Sequence, residues 1–223
     1  MNKPTQLNEK KILIITGGYV DEEFVKSLLL QEEYSIIIAA DRGLLTVDRL
    51  KLEPDYILGD FDSVPRGVLL KYKDKAIPIE TFPTMKDKTD THIAFEKALE
   101  LNPSLVDLVG ATGTRLDHTL SNMDLLMLAL DKGVCARILD SNNKIYLKRK
   151  SFIVNKRDQH GDFISLLSFS LQVKGLRLEG FKYPLDGITL KAGSSLGVSN
   201  ELISEEGRVE FDEGILAVFE TRD

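Results

Sequence analysis

The chain has 223 residues, 29 basic and 35 acidic, a formal net charge of -6, and 43% hydrophobic against 29% charged content. That is enough apolar material for one large or two modest folded domains. The acidic balance and the lack of a basic patch with interleaved aromatics argue against nucleic acid as a partner. No run approaches the roughly 20 apolar residues that span a bilayer. The polar leader, residues 1–10, also lacks the apolar segment of a signal peptide, so a cytoplasmic protein with no membrane partner is expected.

After the leader, KILIIT reads as a buried strand, Gly17 and Gly18 as a turn, and DEEFVKSLLLQ as a helix, with Phe24, Leu28 and Leu29 at helical spacing. The unit recurs: SIIIAA leads into DRGLLTVDRLK, YILG into DFDSVPRGVLLKY, and VDLVGA into TGTRLDHTLSNMDLLMLALDKG. Between these, KTDTHIAFEKALEL is a further helix that Thr89 or Asp90 can cap. Strands alternating with helices predict an α/β domain over residues 11–143, built on a parallel sheet with helices on both faces. The single cysteine, Cys135, falls in the apolar run VCARILD and is expected as a buried strand thiol. From residue 144 the texture changes to short β-rich runs divided by glycine-containing turns, among them DFISLLSF, VKGLRLEGF, GITLKAG and GRVEFDEGILAVFE. Residues 144–223 therefore predict a smaller all-β domain, a sandwich or barrel.

Ligands of an open parallel sheet bind outside the carboxyl ends of its strands. Three strands deliver polar groups there: Asp41 follows SIIIAA, Asp60 and Asp62 follow YILG, and GATGTRLDH follows VDLV, while Asp87 and Asp90 open the helix before the last of these strands. Carboxylates gathered at one place repel, so such a set makes best sense around a divalent cation, and Mg2+ suits hard oxygen ligands and phosphate oxygens. The competing reading is that Asp41, Asp62 and Asp90 merely cap helices. Gly17, Gly18, Gly110, Thr112, Gly113 and Thr114 lie in strand-to-helix turns whose backbone N–H groups can bind oxyanions. Arg115, Asp117 and His118 fall together in TRLDH; the arginine suits phosphate, and His118 serves equally as a structural residue of a helix start. His92 and His160 are isolated and carry no functional expectation. There is no GxxxxGK[ST] loop and no GxGxxG, so neither a P-loop enzyme nor an ordinary dinucleotide binder is supported.

The ordered set DRG, GDFDS, DKTD and GTRLDHTLSN resembles the thiamin pyrophosphokinase family, whose members transfer a diphosphate from ATP to thiamin and release AMP. The resemblance covers essentially the whole chain after the leader. It implies that Asp41, Asp60, Asp62 and Asp90 surround a magnesium-bound triphosphate. It also implies that Gly17, Gly18, Arg42, Thr112, Gly113, Thr114, Arg115, Asp117 and His118 lie on the ATP side. Arg42 stands where the family usually has a small residue. GSSLGVSNE looks like the family's thiamin-binding turn, which implies that Ser195, Ser199 and Asn200 hold the pyrimidine ring; read without the resemblance it is a plain hairpin loop. The chain has no tryptophan to stack on thiamin. Family members are homodimers whose thiamin site lies between the α/β domain of one subunit and the sandwich of the other. The catalytic residues implied are Asp62, Asp90 and Arg115, with Asp62 or Asp90 as the base. Two other classes fit parts of the pattern: a magnesium-dependent phosphohydrolase with an aspartyl nucleophile, and a non-catalytic thiamin or nucleotide sensor.

Overall fold

The computed structural model describes residues 10–75, 77–83 and 87–223. The expected polar leader, apart from Lys10, lies outside the described residues. Two compact units divide at Ala136 and Arg137, ahead of the sequence boundary at 143/144.

The first unit carries five strands: β1 (Lys11–Ile15), β2 (Ile36–Ala40), β3 (Tyr56–Gly59), β4 (Ile79–Thr81) and β5 (Leu105–Val109). They stand in the order β4-β3-β2-β1-β5, and every neighbouring pair is parallel. β1 and β5 are buried almost throughout, as a strand covered on both faces requires, which is why they read as unbroken apolar runs. Helices fill the connections: α1 (Glu22–Gln31), α2 (Gly43–Arg49), α3 (Arg66–Lys73), α4 (Asp90–Glu100) and α5 (Leu116–Asp131). α4 buries Ala94, Phe95, Ala98 and Leu99 and packs on β1, β2 and β3. Of the two candidate caps, Thr89 does the work, its hydroxyl accepting from the His92 N–H at 3.1 Å. The chain steps outward from β1 to β4, then returns to lay β5 on the other side of β1. The strand order thus reverses between β1 and β5, the place where an open α/β sheet forms its ligand crevice.

The unit boundary falls within β6 (Cys135–Leu139), which pairs antiparallel with β7 (Asn143–Lys148). Cys135 is exposed, contrary to the sequence reading. β6 alternates, with Ala136 and Ile138 buried, so the cysteine opens the strand on the opposite face from the core. The second unit continues with β8 (Phe152–Asn155), β9 (Phe163–Ser168), β10 (Gln172–Glu179), β11 (Leu185–Lys191), β12 (Glu206–Glu210) and β13 (Leu216–Thr221). β13 lies between β7 and β9, all antiparallel, and β11-β10-β12-β8 form a separate four-stranded sheet. Tyr146, Ile164, Leu166 and Val218 from the first layer share one core with Val154, Val173, Leu176, Leu178, Leu190 and Val209 from the second. This is the packing of a β-sandwich. The only helical segment here is a single turn, Lys156–Asp158. Among the described residues no helix is long and apolar enough to cross a membrane.

Candidate active site

The turn after β3 is built around a buried aromatic. Phe61 adopts a left-handed conformation, φ 57°, and its ring is buried, so Asp60 and Asp62 on either side are left toward the surface. The Asp60 carboxylate accepts from the Asp62 N–H at 3.2 Å, which closes the turn. Asp41 is also left-handed, φ 47°, and its N–H donates to the Leu58 carbonyl at 2.8 Å, tying the end of β2 to β3. Gly59 makes this approach possible, since a Cβ there would lie 3.0 Å from the Asp41 Cα. Asp41, Asp60 and Asp62 each bring one carboxylate oxygen within 4.8 Å of the others, and the Ser63 hydroxyl donates to Asp41 at 3.4 Å. Burial raises the Asp41 carboxyl above its ordinary range; the Arg42 backbone N–H opposes this, and the charges of Asp90, Asp60 and Asp62 reinforce it. Asp90 therefore acts on the same site, although it is outside the three-carboxylate group.

The capping alternative does not hold for these aspartates. α2 is preceded by Arg42, α3 by Pro65 and α4 by Thr89, whereas the aspartate that does cap a helix is Asp21, accepting from the Glu23 and Phe24 N–H groups. An all-oxygen set of neighbouring, mutually repelling carboxylates fits a hard divalent cation such as Mg2+.

A second group of turns meets at the crevice between β1 and β5. The Gly110 carbonyl accepts from the Thr16 hydroxyl at 3.1 Å and from the Gly18 N–H at 2.9 Å. Gly18 tolerates this because it has no side chain; a Cβ there would lie 2.2 Å from the Gly110 oxygen. A Cβ on Gly17 would lie 3.1 Å from the Arg42 Cβ and 3.7 Å from an Asp41 carboxylate oxygen. The glycine turn thus links the carboxylate cluster to the loop after β5. That loop presents Gly113, Thr114, Arg115, Asp117 and His118 to solvent, with Thr112 partly covered. Arg115 donates to Asp117 at 2.7 Å, and the guanidinium holds the Asp117 carboxyl below the usual range. Sequence reasoning included Asn122 as the last residue of GTRLDHTLSN but gave it no role. It is buried, and its amide donates to the Ala111 carbonyl at 2.8 Å, so α5 clasps the loop that precedes it. The signal was an asparagine on the inward side of an otherwise apolar helix stretch.

In the second unit, GSSLGVSNE is an ordered turn. The Val198 N–H donates to the Ser195 carbonyl at 3.1 Å and the Leu166 N–H to the Gly197 carbonyl at 2.8 Å. Ser199 is left-handed, φ 55°, with its N–H on the Ser165 hydroxyl at 2.9 Å. Ser195 and Ser199 are exposed, whereas Asn200 is buried. The Asn200 amide accepts from the Tyr183 N–H and donates to the Tyr183 carbonyl, at 3.0 and 2.8 Å. It fixes the turn to the segment before β11. Phe181 belongs to the core and Tyr183 is exposed.

Two family models match consecutive parts of the chain: thiamin pyrophosphokinase, catalytic domain, over residues 28–138, and thiamin pyrophosphokinase, vitamin B1 binding domain, over residues 150–216. Thiamine pyrophosphokinase of Bacillus subtilis (strain 168) is 32% identical over 215 residues, spanning 96% of this chain and 100% of its own. A crystal structure of thiamine pyrophosphokinase from Bacillus subtilis superposes with a TM-score of 0.86 at 30% identity, covering 96% of this chain and 100% of the other. One from Geobacillus thermodenitrificans gives 0.82 at 32%, covering 96% and 98%. With both domains matched in order and full-length relatives at this identity, the chain belongs to the thiamin pyrophosphokinase family.

Proposed function

We propose that the protein transfers a diphosphate from ATP to the hydroxyl of thiamin, giving thiamin diphosphate and AMP, and that it works in the cytoplasm as a homodimer with sites shared between subunits. The observation that carries this reading is the meeting of three carboxylates with a glycine turn bonded to a second phosphate-type loop, all at the carboxyl ends of β1, β2, β3 and β5. Asp41, Asp60 and Asp62 would hold Mg2+, with Asp90 beside them. When bound, the cation neutralises phosphoryl oxygens and keeps the electron-poor β-phosphorus open to attack. The backbone N–H groups of Gly17 and of the Thr112–Thr114 turn bind the remaining phosphate oxygens, while Gly18 holds the two turns together through its N–H on the Gly110 carbonyl. Arg115, presented at the start of α5, adds a charge that cannot be lost. Arg42, Asp117 and His118 complete the nucleotide side. Whichever of Asp62 and Asp90 is left free of the metal accepts the proton of the attacking hydroxyl. Ser195 and Ser199 offer hydroxyls to the pyrimidine, and Asn200 keeps their turn in shape. Positioning and electrostatics then supply most of the acceleration, as is usual in phosphoryl transfer.

Asp62 is exposed, so Asp62→Asn separates chemistry from folding. The expected result is a fall in turnover of about 100-fold or more with an unchanged thermal midpoint. A variant that retains near full activity would remove Asp62 from the site.

A further inference from the structure

Tyr19 has no task in the account above, yet it occupies a constrained place. It follows Gly17 and Gly18 directly, and it is 71% exposed. Single exposed apolar residues are ordinary on a protein surface. This one, however, is carried by a backbone tied to the loop after β5. The N–H of the preceding Gly18 is bonded to the Gly110 carbonyl. The Tyr19 nitrogen itself lies 3.6 Å from where a Cβ on Gly113 would be. The absence of a side chain at Gly113 leaves this side of the seam open. Leu116, where the same loop enters α5, is also 71% exposed. In the other direction Gly17 abuts Asp41 and Arg42. The order along the crevice is therefore carboxylate cluster, glycine turn, exposed aromatic. A nucleotide has the same order, with phosphates at one end and a flat base at the other.

We propose that Tyr19 forms the platform on which the base of the nucleotide stacks, an assignment that rests on the nucleotide-binding part of the diphosphate-transfer reading. Stacking on an aromatic ring needs only a π-face and uses the ring rather than the phenolic hydroxyl. Tyr19 is then a binding residue of the donor and takes no part in the chemical step.

The test is calorimetric titration of wild type, Tyr19→Phe and Tyr19→Ala with Mg·ADP, and separately with Mg·tripolyphosphate, which carries phosphates but no base. Tyr19→Ala is expected to weaken Mg·ADP about tenfold while leaving tripolyphosphate within about twofold, and Tyr19→Phe to match wild type. Unchanged Mg·ADP affinity in Tyr19→Ala overturns the assignment. An equal loss for tripolyphosphate also overturns it, because Tyr19 would then be acting through the shape of the loop. A wild type that binds Mg·ADP but forms no thiamin-dependent AMP removes the transfer reading and leaves the stacking standing. One that binds no nucleotide removes both.

Discussion

A half-buried carboxylate facing three others is a cost to the folded chain until something positive arrives. For Asp41 the sign is definite. Its folded carboxyl is raised above the ordinary range by burial and by Asp90, Asp60 and Asp62, so its ionisation destabilises the metal-free protein at neutral pH and the penalty disappears as acid protonates it. Asp41→Asn should therefore be more stable than wild type at pH about 7 without metal, with the difference shrinking toward pH about 4. Urea unfolding in chelator checks this, and added Mg2+ should stabilise wild type but not the variant. His160 has the opposite sign. Burial lowers its folded value, aided by Arg222 and Lys144 and opposed by the Asp140 carbonyl it bonds at 2.8 Å and by Glu220. The stability it contributes is present above its ordinary value and is lost as pH falls through the lowered one. Between pH about 7.5 and 5 wild type should lose more stability than His160→Gln, measured as the change in unfolding midpoint. Equal losses would show that other groups dominate.

At the scale of elements, the turns are what hold the site, and they do so through bonds between segments far apart in sequence. The Gly18 N–H on the Gly110 carbonyl and the Asn122 amide on the Ala111 carbonyl fix one loop from both sides. Asn122→Ala leaves a buried carbonyl without its partner and should cost about 1–3 kcal/mol in chemical denaturation. Gly18→Ala forces two backbones apart and should cost about 1–3 kcal/mol and raise the KM for ATP more than that for thiamin. These couplings explain what the sequence showed and what it hid. Each buried strand was legible because an apolar run stopped at Gly or Asp, and the cluster at Asp41, Asp60 and Asp62 followed from two such stops, after β2 and β3, at one sheet edge. The seam between the first and last turns was not legible, because a backbone bond between residues 18 and 110 leaves no mark in side-chain pattern. Asn122 was hidden for the same reason: its partner is a carbonyl. Cys135 was misread because a run with three buried positions, Ala136, Ile138 and Leu139, looks, over seven letters, like a fully buried strand.

For the whole molecule, the change from helix-and-strand to strand-only texture was visible in the sequence, and the sandwich core of the second unit answers to it. The turn proposed to hold thiamin was harder. Its residue types are those of any hairpin, and only the ordered motifs elsewhere in the chain distinguished it. Exposed Tyr183, Leu196 and Val198 around that turn are apolar surface that a ligand or a second subunit would cover. Sedimentation equilibrium is expected to give twice the 25.0 kDa chain mass, and a stable monomer with full activity would refute the shared-site arrangement.

The most direct test of the central claim is AMP release from ATP and Mg2+, followed with and without thiamin alongside formation of thiamin diphosphate. AMP that depends on thiamin and matches thiamin diphosphate mole for mole is the expected result. A folded protein that releases no AMP, or that yields inorganic phosphate from phosphate esters without ATP, would contradict it.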